Sequence, residues 1–392
     1  MRLLKLSVLF LAKSLGGFWL AQRLTARQLR ILCYHGIWIG DRPRMGDKLF
    51  MEPETFRQRL LLLKKGGYRV VALSQAVEEL ANGRLPPKTV VITIDDGWAT
   101  TRSHMVPALR EVGFPSTLYL TSYYVEKATP VLNILVQFLW TRATKSGLSP
   151  MDALRAVIAE AQADGHGAEI DIEAMDSMAL EDGKAVFAGL LESLPTVSQR
   201  LEQVQRLAEL LDVDIRAAVR GRWFDLMTPE ELREAQRAGM EIQLHTHRHR
   251  FRTASPAESH QEITENRTLI AGLLGVPETS LVHFCYPSGG YNAGQWPVLA
   301  ALGIRTATTI EEGLNTSRTS RYGLRRFLDG ENVTPLEFES YLSGFSELVA
   351  GLKGLLHGRR GDRPEAGSSD EWAIGSGALA KAPQPGSHTQ TA

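Results

Sequence analysis

Two short stretches carry the residues that could do chemistry. In VVITIDDGWATT, residues 90 to 101, an apolar and β-branched run ends on Asp95 and Asp96, adjacent carboxylates that repel each other and resist burial. In HTHRH, residues 245 to 249, imidazoles stand at i, i+2 and i+4. A strand would put all three on one side, and a helical turn would bring His245 and His249 together. Either way a pair four apart can reach one cation. Neutral imidazole suits zinc, cobalt or iron, and one carboxylate completes a two-His, one-carboxylate site with positions left for water. If Asp96 supplies that carboxylate, its charge is neutralised and its repulsion with Asp95 falls. Asp95 is then left to take a proton from a water that the cation acidifies. Gly97 lets the backbone turn sharply away after the pair. Each piece also has a plain reading: Arg248 and Arg250 suit a basic surface turn, and an isolated Asp-Asp-Gly is a common exposed turn.

Those residues need elements to hold them. At 392 residues the chain has room for one large domain with insertions or for two domains. RILCYHG (30–36) is a short apolar run ending at Tyr34 and His35. A helix pattern follows from Pro53, with Phe56, Leu60 and Leu63 on one face and Gly66-Gly67 as its stop. YRVVAL, KTVVITI and STLYLTS read as strands, and MVPALREVG as a helix stopped by Gly113. From about 126 to 222 the chain is helix-prone with no clear strand, which predicts a helical insertion. The alternation then resumes. Thr228, Pro229 and Glu231 make a capping box with proline at the first helical position. EIQLH reads as a strand, 257–274 as a helix, LVHFCYP as a strand, and a helix near 294–302 leads to GIRTATT. Alternating strands and helices predict a parallel sheet or barrel. In such folds chemistry gathers at the carboxyl ends of the strands, and all three polar clusters follow strand ends: Asp95-Asp96, His245 to His249, and Tyr286-Pro287-Ser288-Gly289.

At this point the residues carry a resemblance. TIDDG resembles the T-F-D-D-G motif of the polysaccharide deacetylases with a NodB-homology domain, HTHRH fits their H-[S/T]-x-x-H, and FCYPSGGYN resembles the F-A-Y-P-Y-G of one branch. ILCYHG, ETFRQRLLLLKKGGYRVV and LPPKTVVITIDDGW match that branch in order and spacing, so the resemblance covers roughly 30–125 and 223–330. It implies an α/β fold, a distorted, incomplete (β/α) barrel with a helical insertion and a groove for a sugar chain over the strand ends. It also implies Asp95 as general base and Asp96, His245 and His249 as ligands of a divalent metal, typically zinc, with cobalt or nickel as alternatives. The metal and the backbone N–H of Ser288 would stabilise the oxyanion formed as water attacks an N-acetyl carbonyl. Where many members carry an arginine in the third motif this chain has Cys285, and Arg326, in YGLRRFLD, is the candidate substitute, unless it is a surface arginine beside Arg325. The usual leucine-x-histidine of the general acid has no match; His35 is a candidate there, or a packed strand-end histidine. Ile94 for the usual phenylalanine should change packing only. Trp98, Pro287 and Tyr291 are assigned to the sugar-binding surface, with packing as the alternative for the aromatics, and His247 is left without a role.

Composition sets the remaining expectations. Forty-four basic residues balance forty-four acidic ones, so no global field points to nucleic acid. The two cysteines, Cys33 and Cys285, make no disulfide framework and read as buried, reduced thiols. Residues 1–29 form a basic amphipathic segment whose apolar core, Leu6 to Ala12 between Lys5 and Lys13, is too short to span a bilayer and lacks a clear small-x-small cleavage site. It suits either a cover for one end of the domain or an interfacial anchor. The expected location is cytoplasmic, with peripheral contact at the inner membrane through this segment. The domain reading is therefore 30–125 with 223–345 as the deacetylase-like domain, 126–222 as the insertion and 346–392 as a mostly disordered tail. The expected activity is metal-dependent removal of N-acetyl groups from the sugars of a bacterial polysaccharide or its lipid-linked precursor. The rival readings are hydrolysis of another non-peptide C–N bond and a glycan-binding domain without turnover.

Overall fold

The computed structural model describes residues 2–40, 48–143, 149–165, 171–178, 180–251, 254–290 and 292–356. Eight parallel strands form one curled sheet: β1 (Arg30–Tyr34), β2 (Arg69–Val70), β3 (Thr89–Asp96), β4 (Ser116–Leu120), β5 (Met240–Leu244), β6 (His283–Cys285), β7 (Thr306–Thr308) and β8 (Phe327–Leu328). The order is β8-β1-β3-β4-β5-β6-β7, with β2 on the first residues of β3 and β4 on its last four. Every residue of β3 is buried, the pattern of a strand covered on both faces, which explains its unbroken apolar run. The sheet nearly closes on itself. Between β7 and β8 the chain passes alongside β7 in the parallel sense, with Leu324 N–H donating to Ala307 O at 3.0 Å and Thr309 N–H to Leu324 O at 2.8 Å. That parallel path delivers Arg326 to the barrel interior.

Helices pack outside the strands where the periodicity places them. Pro53–Lys65 buries Phe56, Leu60 and Leu63, and Val106–Val112 stops at Gly113 in the left-handed conformation. Pro229–Arg237 starts on the capping box: Glu231 N–H donates to Thr228 Oγ1, and Thr228 N–H to the Glu231 carboxylate. The described residues of the segment 126–222 are mostly helical, chiefly in Leu132–Arg142, Pro150–Ala163, Leu180–Ser193 and Val197–Leu210. Its Leu135, Phe138, Leu154, Phe187 and Leu207 belong to the same apolar core as Trp38, Leu120 and Leu244 of the barrel. The insertion is therefore packed into the domain.

Both ends of the described chain are helical. Residues 346–356 are ordered in a helix, Phe345–Leu356, which continues from Pro335–Ser343 after a left-handed turn at Gly344. The tail from 357 lies outside the described residues. The amino-terminal segment is two helices, α1 (Arg2–Ser14) and α2 (Gly17–Leu24), the first packed on Pro335–Ser343 and the second also on Phe345–Leu356.

Candidate metal and catalytic centre

The carboxyl ends of β3, β5 and β6 converge on one buried cluster. Asp96 is the last residue of β3 and has φ +72°, followed by Gly97 at φ +102°. A Cβ on Gly97 would stand 2.4 Å from Leu120 Cδ1, so both the backbone and the space demand glycine there. The second motif is equally bent: Thr246 has φ +65° and His249 φ +56°. Asp96, Thr246, His249 and Ser288 are four of the eight described non-glycine residues in this region of backbone space, so the strain is concentrated on the motif loops.

Asp96 Oδ1 lies 3.5 Å from His245 Nε2 and 3.4 Å from His249 Nε2. It is buried and has no hydrogen-bond partner among the described residues, although a carboxylate oxygen out of water demands one. The imidazoles are oriented to serve as ligands. His245 Nδ1 faces Cys285 O at 2.8 Å; a carbonyl only accepts, so Nδ1 carries the proton and the Nε2 lone pair points at Asp96. His245 N–H donates to Asn266 Oδ1 at 3.0 Å, and Asn266 Nδ2 donates to Leu120 O and Ser122 Oγ, tying β5 to β4 under the site. The other oxygen, Asp96 Oδ2, accepts from Trp98 Nε1 at 2.9 Å.

These residues fit a divalent cation. Donors about 2.0–2.2 Å from one ion at tetrahedral angles stand roughly 3.3–3.6 Å apart, which brackets the two distances to Asp96. One carboxylate with two imidazoles is also a borderline-hard donor set that suits zinc-like ions. Two further groups of donors meet at Asp95: Cys33 with His35, and His245 with Cys285.

Asp95 sits one residue back and is 2% exposed. Arg326, itself buried, grips it with both ends of the guanidinium, Nη1 to Oδ1 at 2.7 Å and Nη2 to Oδ2 at 2.8 Å. The arginine is fixed in turn by Nε to Thr309 O at 2.8 Å, Nη1 to Thr93 Oγ1 at 3.2 Å and Nη2 to Cys285 Sγ at 3.0 Å. Burial alone would push the Asp95 carboxyl up; Arg326, with His245 and His35, holds it down to about 2. Burial acts the same way on Asp96, and the imidazoles around it hold it below the ordinary carboxylate range. Cys33 and Cys285 place their sulfurs 3.5 and 3.6 Å from Asp95 Oδ2, and His35 Nε2 is 3.8 Å from the same oxygen. His35 Nδ1 is buried with no partner among the described residues.

The predicted residues thus divide. Asp95, Asp96, His245, His249 and Arg326 come together, and Ser288 stands exposed after β6 with φ +52°. Two of the three sugar-surface assignments are corrected. Trp98 is 2% exposed and uses its N–H on Asp96, so its ring has no free face for a sugar. Pro287 is buried as well. Tyr291 lies outside the described residues. His247 turns away from the centre, its Nδ1 3.0 Å from Ser122 Oγ and its carbonyl accepting from the N–H of Ser122 and Tyr123. Asn266 and the packing of the two thiols escaped the sequence reading, because nothing in ENRTL or in an apolar strand marks them.

The family model for polysaccharide deacetylase matches residues 82–169 and 197–307, just over half of the chain, and both stretches with catalytic motifs lie inside it. No curated protein matches. Among solved structures, Streptococcus pyogenes deacetylase PplD in complex with acetate is similar at 17% identity, covering 81% of this chain and 99% of that one, with a TM-score of 0.52. At that identity the likeness concerns the fold. IcaB from Ammonifex degensii (16% identity, 81% and 97% covered, TM-score 0.48) and a de-N-acetylase from Aggregatibacter actinomycetemcomitans (15%, 80% and 99%, 0.48) also match. With the family model spanning the Asp-Asp strand end and the histidine loop that fold together here, the chain belongs to the polysaccharide deacetylases, hydrolases acting on the amide bonds of N-acetylated sugars.

Proposed function

We propose that Asp96, His245 and His249 hold a divalent cation, zinc by the chemistry of the donors, and that Asp95 is the general base for hydrolysis of an N-acetyl group on a bacterial glycan or its lipid-linked precursor. The observation that carries the reading is Asp96 Oδ1, buried between two imidazole nitrogens with no hydrogen-bond partner among the described residues. When bound, a divalent cation supplies Lewis acidity, acidifying water and polarising a carbonyl oxygen.

The chain's own residues do the rest. Asp95, kept ionised by Arg326, accepts the proton of the attacking water; the two-point grip keeps its carboxylate from rotating. The left-handed turn at Ser288 presents its backbone N–H to the oxyanion that forms as oxygen adds to the acetyl carbon. The C–N bond then breaks, acetate leaves, and the sugar amine takes up a proton. His35, beside Asp95 with a partnerless Nδ1, is the imidazole best placed to give it.

Metal content and acetate release from N-acetylglucosamine oligomers test the division of labour. Asp96→Ala should lose the metal and the activity together. Asp95→Asn should keep the metal and lose roughly 10²–10⁴-fold in kcat, the range of general acid–base contributions. Metal retained by Asp96→Ala would overturn the ligand assignment. Metal bound by the wild type with no acetate from any glycan would move the substrate to another amide.

A further inference from the structure

The amino-terminal helices are covered by the body on one side only. Among the described residues fourteen large apolar side chains are exposed, nine of them between Leu3 and Leu24 and two more, Leu348 and Leu352, on the helix that packs against α2. In α1 the body takes Leu9, while Leu4, Val8 and Leu11, and Leu15 just past its end, recur at i, i+4, i+7 and i+11 in a stripe left open to solvent. The bases of α1 lie on the packed side. Lys5 reaches Glu337 at 2.7 Å, Lys13 reaches Glu339 at 2.5 Å, and Arg2 donates to Asn332 O at 2.7 Å. The stripe itself is therefore apolar and uncharged. On α2, Trp19 is exposed with Arg23 stacked 4.6 Å from its ring centroid, a cation on an amphipathic ring.

We infer that this elbow is a docking surface for a bilayer bearing anionic lipids. The first forty residues hold six basic side chains and no acidic one; the body holds Arg2, Lys5 and Lys13 and Arg30 is buried, which leaves Arg23 and Arg27 exposed to a bilayer. An apolar stripe continued by Trp19 and flanked by two exposed arginines complements an anionic headgroup layer over acyl chains. The helices meet at 77°, and neither, at 13 and 8 residues, has the roughly 20 residues of a straight span, so the elbow lies in the interface. Arg2 is tied to the loop that follows β8, on the side of the sheet where the strands end, so the docked surface adjoins the site's end of the barrel. The inference is independent of the deacetylase chemistry.

The test is flotation of the purified full-length protein with vesicles of phosphatidylcholine alone and mixed with phosphatidylglycerol, beside Leu11→Glu and Trp19→Glu. The wild type should float with the anionic vesicles, less so at high salt. Each variant should bind at least tenfold more weakly while keeping its metal content and its acetate release from soluble oligomers. Absence of flotation, or equal flotation by the variants, would overturn the proposal. So would resistance of the bound protein to alkaline carbonate, which marks a spanning segment, or a dimer in solution that Leu11→Glu converts to monomer, which would make a second copy the occupant.

Discussion

At the residue scale the centre depends on how each carboxylate is held. Asp95 and Asp96 are neighbours yet face different partners, a guanidinium on one side and two imidazoles with an indole on the other. A point charge cannot replace the guanidinium fork. Arg326→Lys keeps the charge and loses one of the two contacts to Asp95, so kcat should fall by about ten- to a hundredfold with metal content unchanged, read by steady-state kinetics beside elemental analysis. Much of this was legible beforehand. The two aspartates and the histidines four apart announce a cation by residue type and spacing, and Arg326 could be nominated because Cys285 leaves the base without its usual guanidinium. Trp98 was misread for a physical reason. An aromatic at a strand end looks like a sugar platform until one sees that its N–H is spent on a carboxylate, and that depends on a fold-specific distance.

At the element scale, the turns out of the strands set the ligand geometry. Gly97 is where this is most exposed to test: Gly97→Ala forces a Cβ into Leu120 at a φ that alanine adopts at a cost of about 1–2 kcal/mol. The variant should show a lower melting temperature and weaker metal retention, by thermal denaturation and dialysis against a chelator. Capping and breaking signals were readable because they are local chemistry: Thr228 with Glu231, and Gly113, fall where the sequence places them. Elements made by tertiary context were not. β8 is two residues long, too short for any period, and the helix through GLKGLL carries glycines that argue against helix until it packs on its neighbours.

At the scale of the whole molecule, the barrel is bound together by polar contacts between distant parts of the chain. Arg59 and Asp329, both buried, pair at 3.0 Å across 270 residues, and Arg59 also donates to Val333 O. Burial pushes the Asp329 carboxyl up to about 6 from 3.8, against the pull of Arg59. A raised carboxyl binds its proton more tightly in the folded state, so its contribution to stability is full below about pH 4 and is lost as pH rises through about 6. Asp329→Asn removes that titration. The stability of the wild type relative to the variant should therefore decline between pH 4 and 6 and then level off, as read by denaturant unfolding at each pH.

The origin of Arg326 has a consequence for biosynthesis. Asp95 emerges from the ribosome 231 residues before the guanidinium that neutralises it, and β3 cannot be buried comfortably with that carboxylate alone. A nascent chain that stops short of Arg326 holds both aspartates, His245 and His249 and the whole helical insertion, yet lacks the counter-charge of Asp95. The centre is thus completed by the residue that leads into the last strand, and an abortive translation product should be inert before it is unfolded.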